Sequence, residues 1–342
     1  MTDAAAVDAS GGANPLIDEV TARRPASPTY REGASMWVWD DRGRFAFPRI
    51  GVEAVGATWE TSFTSALCMA FPGGRLLLVN DDYPPHPATD DAGRPRIFGA
   101  GPLLFECVEP FAQWRLRFAG NAKSTDVNRF LAGGRHRLGP GDAVEVPLAV
   151  DLTARSVAPP WFQNTYEPLG HQVAGEQRFE QLCTVTGTVT FEGGTTEFTG
   201  GALRIHRKGG NRNNYGEFHG HLWASTSFPS GRAFGVIHYR PGADGTVKYH
   251  EAWVRDGGEL LPARIIDTPW LAGTVPAGED MSFTLRTRRG DIRITARTFV
   301  SSFRPPRPIG DGTTFPLLQS AIASFRWDGE EAFGMIERSA RL

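Results

Sequence analysis

Only three cysteines, Cys68, Cys107 and Cys183, occur in 342 residues, odd in number and far apart. That spacing speaks against a disulfide framework or a zinc knuckle, and free thiols in a reducing compartment are expected. Charge of one sign is also lacking: 36 Lys and Arg face 38 Asp and Glu, a formal −2, with the basic residues scattered. Neither nucleic acid nor an anionic membrane surface is therefore expected as a partner. No apolar run reaches membrane-helix length, so no membrane insertion is expected. The opening MTDAAAVDASGGANPLIDEV has no basic n-region and no apolar h-region, which predicts a cytoplasmic protein. Covalent and nucleotide chemistry lack their motifs as well. There is no Gly-x-Ser-x-Gly elbow, no HExxH and no glycine loop between a strand and a helix, and no cofactor is expected.

What the chain does contain is glycine (40), proline (25), phenylalanine (22) and tryptophan (9), arranged as period-two runs between turn residues. Such runs predict half-buried strands and hairpins. They include Met36 to Asp40, Phe63 to Phe71 with Arg75 to Val79, Cys183 to Phe191 with a partner after Gly193-Gly194, Ala233 to Tyr239 with Val247 to Val254, and Ala321 to Trp327 with Ala332 to Arg338. Helical turns are suggested only near Ser124 to Arg129 and Pro316 to Ser320. An all-β fold of antiparallel sheets, closed into barrels or stacked as sandwiches, follows. Residues 1–30 lack periodicity and are expected to form a flexible arm. The pattern lapses after Pro159-Pro160, which predicts β-domains over 31–155 and 156–342. Phe71-Pro-Gly-Gly-Arg75 recurs as Phe228-Pro-Ser-Gly-Arg232, either a common hairpin turn or the trace of two related domains.

The chemistry concentrates in Gly200–Tyr239, which holds His206, His219, His221 and His238 with Arg204, Glu217, Trp223 and Tyr239. On a strand, His219 and His221 share a face, and His206 or His238 from a neighbour could complete a three-histidine zinc site, although no ligand-spacing motif supports one. Proton transfer is the alternative: Glu251 and Trp253 share one strand face, His238 lies on the expected partner strand, and a carboxyl in an apolar pocket is a usable general acid near neutrality. Glu60, beside Trp59, and Glu53 are similar candidates. The aromatics suit a core or the lining of an apolar ligand cavity.

The segments GEQRFEQLCTVTGTVTFEGGTTEFTGGALRIHRKGG and FHGHLWASTSFPSGRAFGVIHY resemble the lipocalin-like tandem-barrel superfamily, which includes carotenoid hydratases, fungal phytoalexin hydratases and intramolecular Diels–Alder cyclases. The likeness rests on Gly201, Arg204 and His206, then His221 and Trp223, then the Phe-Pro-x-Gly-Arg hairpin. Many relatives read Arg-Asp-His-x-Trp-Gly where this chain has Ile205 in place of the acid and Lys208-Gly209 in place of Trp-Gly.

The resemblance implies two tandem lipocalin-like antiparallel β-barrels with Arg204, His206, His221 and Trp223 facing a hydrophobic cavity. The function so implied is a cofactor-independent lyase or isomerase, of hydratase or dehydratase type, on a terpenoid, steroid or polyketide-like substrate. His206 or Glu251 would be the acid, Arg204 or His221 would orient water or a substrate oxygen, and Trp223, Trp253, Tyr239, His238 and Trp59 would line the site. A non-catalytic hydrophobic-ligand carrier and a metalloenzyme centred on His206, His219 and His221 are the alternatives.

Overall fold

The computed structural model describes residues 8–132, 138, 141, 143–163, 177–210, 218–308 and 314–341. Its period-two runs form long antiparallel strands, since alternation gives each strand an apolar face to bury. In chain order these are β1 (Arg31–Asp40), β2 (Ala46–Val55), β3 (Phe63–Ala70), β4 (Arg75–Tyr83), β5 (Ile97–Ala100), β6 (Leu103–Glu109), β7 (Gln113–Asp126), β8 (Val144–Ser156), β9 (Trp161–Phe162), β10 (Gln177–Phe191) and β11 (Gly194–Gly209). The remainder are β12 (Gly220–Ser227), β13 (Ala233–Tyr239), β14 (His250–Asp256), β15 (Glu259–Ile265), β16 (Phe283–Thr287), β17 (Gly290–Arg304), β18 (Arg307–Pro308), β19 (Thr314–Phe315), β20 (Leu317–Trp327) and β21 (Glu330–Ala340). One short helix, α1 (Val127–Ala132), follows β7 close to where a helical turn was expected. The turn expected at Pro316 to Ser320 is instead the start of β20, which pairs with both β17 and β21.

Two closed eight-stranded barrels result. The first runs β1-β2-β3-β4-β7-β8-β10-β11, closed by β4 on β7 and by β1 on β11, with the β5–β6 hairpin extending from β7. The second runs β12-β13-β14-β15-β16-β17-β20-β21, closed by β12 on β21. The sheets therefore change over after Gly209, not near residue 155. The β10–β11 hairpin, expected in the second domain, completes the first barrel by pairing with β8 and with the sequence-distant β1, which local pattern does not reveal.

Each barrel has its own interior, exemplified by Val38, Phe47, Leu77 and Phe198 in the first and Leu222, Phe234, Val254 and Phe325 in the second. A third apolar cluster joins them: outward-facing Trp37, Leu182, Leu203 and Ile205 of the first barrel pack with Trp223, Ile237, Tyr239 and Met335 of the second. Burial of both strand faces is what fixes the barrels to one another.

The segment expected as a flexible arm is tethered. Asp18 is fully buried and Val20 lies in the first core, while the amide of Thr21 donates to Glu32 at 3.1 Å. Asp18 is held there by an arginine, Arg204.

That arginine belongs to a repeated device. On the last hairpin of the first barrel Gln181 pairs with Arg204, and Nη2 of Arg204 donates to Oε1 of Gln181 at 2.7 Å. On the last hairpin of the second, Gln319 pairs with Arg338, and Nε of Arg338 donates to Oε1 of Gln319 at 2.8 Å. Each arginine also meets a loop acid, Asp18 or Glu279. The two Phe-Pro-x-Gly-Arg turns are not part of this correspondence: one joins β3 to β4, the other β12 to β13, the third and first connections of their barrels. They are a common hairpin turn.

Candidate functional site between the barrels

β11 turns Arg204 and His206 inward and Leu203 and Ile205 outward, as strand alternation requires. Arg204 donates to Asp18 from Nη1 at 2.6 Å and from Nη2 at 3.1 Å. Asp18 also accepts from the Phe111 amide at 2.6 Å and from Trp114 Nε1 at 2.9 Å. His206 Nε2 lies 2.9 Å from Glu32, between the rings of Trp114 and Phe179. Burial pushes the Asp18 carboxyl up, but Arg204 and His206 together hold it below the ordinary carboxylate range. These charges are committed to one another in a sealed barrel end. Arg204 and His206, expected to act on substrate, are thus placed in a structural network on the opposite side of β11 from the other barrel.

The outward faces carry a different polar group. Glu180, outward on β10, accepts from Trp223 Nε1 at 2.9 Å, from Gln163 Nε2 at 2.6 Å and from Arg178 at 3.2 Å. The Arg178 guanidinium also lies 4.6 Å from the Trp223 ring centre. Burial raises the Glu180 pKa to about 7; Arg178 and Trp223 oppose that rise, and the charge of Glu251 adds to it. Glu251 faces this side from β14, two residues from Trp253, whose indole lies flat over Gly235 and edge-on to Trp161 at 5.9 Å. Any side chain at 235 would occupy that indole: a Cβ there would sit 2.5 Å from Trp253 Nε1. Burial, then Glu251, raises the phenol of Tyr249.

Further along the same face of β12 lies His221. Its Nδ1 is 2.7 Å from Ser339 Oγ and its Nε2 3.3 Å from Glu337, which also accepts from Ser320 at 3.0 Å. Burial works against ionisation of Glu337, yet the His221 contact brings its pKa down to about 2. Tyr239 pairs with His221 across the ladder and packs on Phe218 and Tyr249. Beside this seam a cleft of about 710 Å³ opens between the barrels, with Trp39, Leu182, Phe228, Ala233, Arg255 and Phe333 among its walls.

The structure thus gathers His221, Trp223, Tyr239, Glu251 and Trp253 at one interface and separates the other candidates. His238 points the other way, into the second barrel, where Nδ1 meets Thr268 Oγ1 at 2.8 Å; burial and the neighbouring His250 bring its pKa down to about 4. It pairs with His250 while Glu251 pairs with Ile237, so the expected His238–Glu251 meeting fails by one residue of register. Trp59 belongs to the first barrel's interior, against Tyr30 and Phe63. Glu53 pairs with Arg207, and Glu60 with Arg24 at 3.5 Å on the surface. Glu217 lies outside the described residues. His206 and His221 occupy different sites, and among the described residues no three His, Cys, Asp or Glu side chains converge as metal ligands. Glu180, Arg178 and Glu337 were not singled out from the sequence; only the parity of Glu180 with Leu182, opposite Cys183 and Val185, pointed outward.

Two closed antiparallel barrels packed through one face of each define a tandem lipocalin-like barrel protein. A family model described as "Domain of unknown function (DUF7064)" matches residues 17–341, and the chain belongs to that family. No curated protein sequence matches it. Among solved structures it is similar to an AttH-type protein of Nitrosomonas europaea, at 12% identity and TM-score 0.58 over 94% of this chain and 98% of that one. It is also similar to CghA in complex with Sch210972, at 13% identity and TM-score 0.57 over 92% and 89%. Kievitone hydratase of Nectria haematococca matches at 11% identity and TM-score 0.39 over 96% and 94%. At such identities the likeness to the first two is one of fold.

Proposed function

We propose that the protein is a cofactor-independent lyase or isomerase, of hydratase or cyclase type, that moves a proton on a hydrophobic small molecule held between its barrels. The observation that carries this reading is Glu180: a buried carboxyl with a pKa near 7, hydrogen-bonded to Trp223 and placed among aromatic side chains. A carboxyl of that kind is protonated often enough at neutral pH to donate to an alkene or a leaving hydroxyl. Faces of Trp223, Trp253 and Trp161 would shelter developing positive charge, and Glu251, on β14 of the second barrel, would take a proton back. The acid is thus assigned to Glu180 in place of His206. A protein of the same fold, CghA, solved with Sch210972, supports a bound small molecule here.

The test is incubation with a panel of terpenoid, steroid and polyketide-like alkenes and tertiary alcohols in deuterated water, read by mass spectrometry. Deuterium incorporation by the wild type and none by Glu180→Gln is expected. Equal incorporation by both, or none across the panel, would overturn the assignment. An intact ligand that copurifies and is never converted would make the protein a binding protein, a use the open cleft also suits.

A further inference from the structure

A second space between the barrels shares no lining residue with the cleft. It is small, about 60 Å³, and is bounded by Arg49, Leu78, Asp81 and Lys123 of the first barrel, by Phe130 of α1, and by Arg304 at the end of β17 in the second barrel. Three cations therefore meet one carboxylate around it. Arg49 is partly offset by Glu53 at 3.6 Å. Arg304 has no hydrogen bond or ion pair among the described residues; Glu337 is felt only at longer range. Lys123 likewise has no ion pair among the described residues. Arg304 is half-buried; a guanidinium partly removed from water with no counter-charge among the described residues is unfavourable, and burial together with Arg49 lowers its pKa to about 9.

The geometry points to this cavity as a binding site for the carboxylate of an aliphatic ligand, with Arg304 as its principal partner. Guanidinium groups match planar carboxylates with two parallel hydrogen bonds, and Lys123 supplies a second point charge. At about 60 Å³ the space suits a carboxylate head and excludes a nucleotide. The rest of the lining, Leu78, Phe130 and Phe303, suits the first methylenes of a chain. This site stands apart from Glu180 and does not depend on the proposed catalysis.

Calorimetric titration of the full chain with decanoate, decanol and inorganic phosphate tests it. Saturable one-to-one binding of decanoate is expected, about 10-fold tighter than decanol, the size of effect a charge-assisted hydrogen bond produces. Arg304→Gln should abolish that preference. Lys123→Gln should weaken decanoate several-fold and Asp81→Asn should tighten it, opposite signs that a loss of folding cannot mimic. Equal binding of decanoate and decanol, preference for phosphate, or shifts of one sign in the two latter variants would overturn the assignment.

Discussion

The indoles of Trp37 and Trp223 meet edge to face with ring centres 4.8 Å apart, and they occupy corresponding positions in the two barrels. Trp37 follows Met36, the partner of Arg204, on the first closing ladder; Trp223 follows Leu222, the partner of Arg338, on the second. The repeat has thus placed one tryptophan on each side of the contact that holds the barrels together. Replacing either removes both apolar burial and an aromatic pair. Trp37→Ala is expected to destabilise the protein by about 3–5 kcal/mol. Hydrogen exchange should show the loss first in β1 and β12, with the barrel interiors protected longer.

Glu180 ties function to pH. Its folded pKa, about 7, exceeds the ordinary 4.5, so the neutral form favours folding. That contribution is complete below about pH 4.5 and is lost as pH rises through about 7. A general acid needs the same proton, so turnover should fall over the same range. Thermal unfolding and rate profiles of wild type and Glu180→Gln check this: the variant should show neither the loss of stability across neutrality nor the activity.

Glu337 has the opposite sign. Its contact with His221 brings the folded pKa down to about 2, so its contribution to stability is present above pH 4.5 and is lost as pH falls through about 2. Glu337→Gln should flatten the acid limb of the unfolding profile. It also removes the carboxylate partner of His221 Nε2, and a destabilisation of about 1–3 kcal/mol at neutral pH is expected from denaturant titration.

The Asp18–Arg204 pair should prove structural. Asp18→Ala strands a buried guanidinium, and a loss of about 3–5 kcal/mol is expected from urea unfolding. The fraction that remains folded should keep its activity per molecule. A selective loss of turnover in folded Asp18→Ala would return Arg204 and His206 to the reacting centre.

All three cysteines are buried, and burial raises the thiol of Cys68 to about 12 and that of Cys183 to about 11. Since the thiolate is the reactive form, native protein should resist a thiol-specific chromogenic reagent at pH 8 and release all three equivalents only in denaturant. Rapid native labelling would show that the interface around Cys68 opens.

Period-two alternation alone determined that the chain is all-β, where its hairpins turn, and that His221 and Trp223 share a face. These are local consequences of strand geometry, readable wherever a run has one buried side. Three matters were decided only in three dimensions. Nearly every residue of β1 is buried on both faces, so its sequence does not say which face lines a barrel and which meets the neighbour. Which strand closes the first barrel depends on pairing between β1 and β11, far apart in the chain. One residue of parity then sends His206 inward to Asp18 and Glu32 while Glu180, on the adjacent strand, faces Trp223. Residue types announced a polar centre near Arg204. The direction of a strand's side chains, set by long-range pairing, moved that centre to the seam between the barrels.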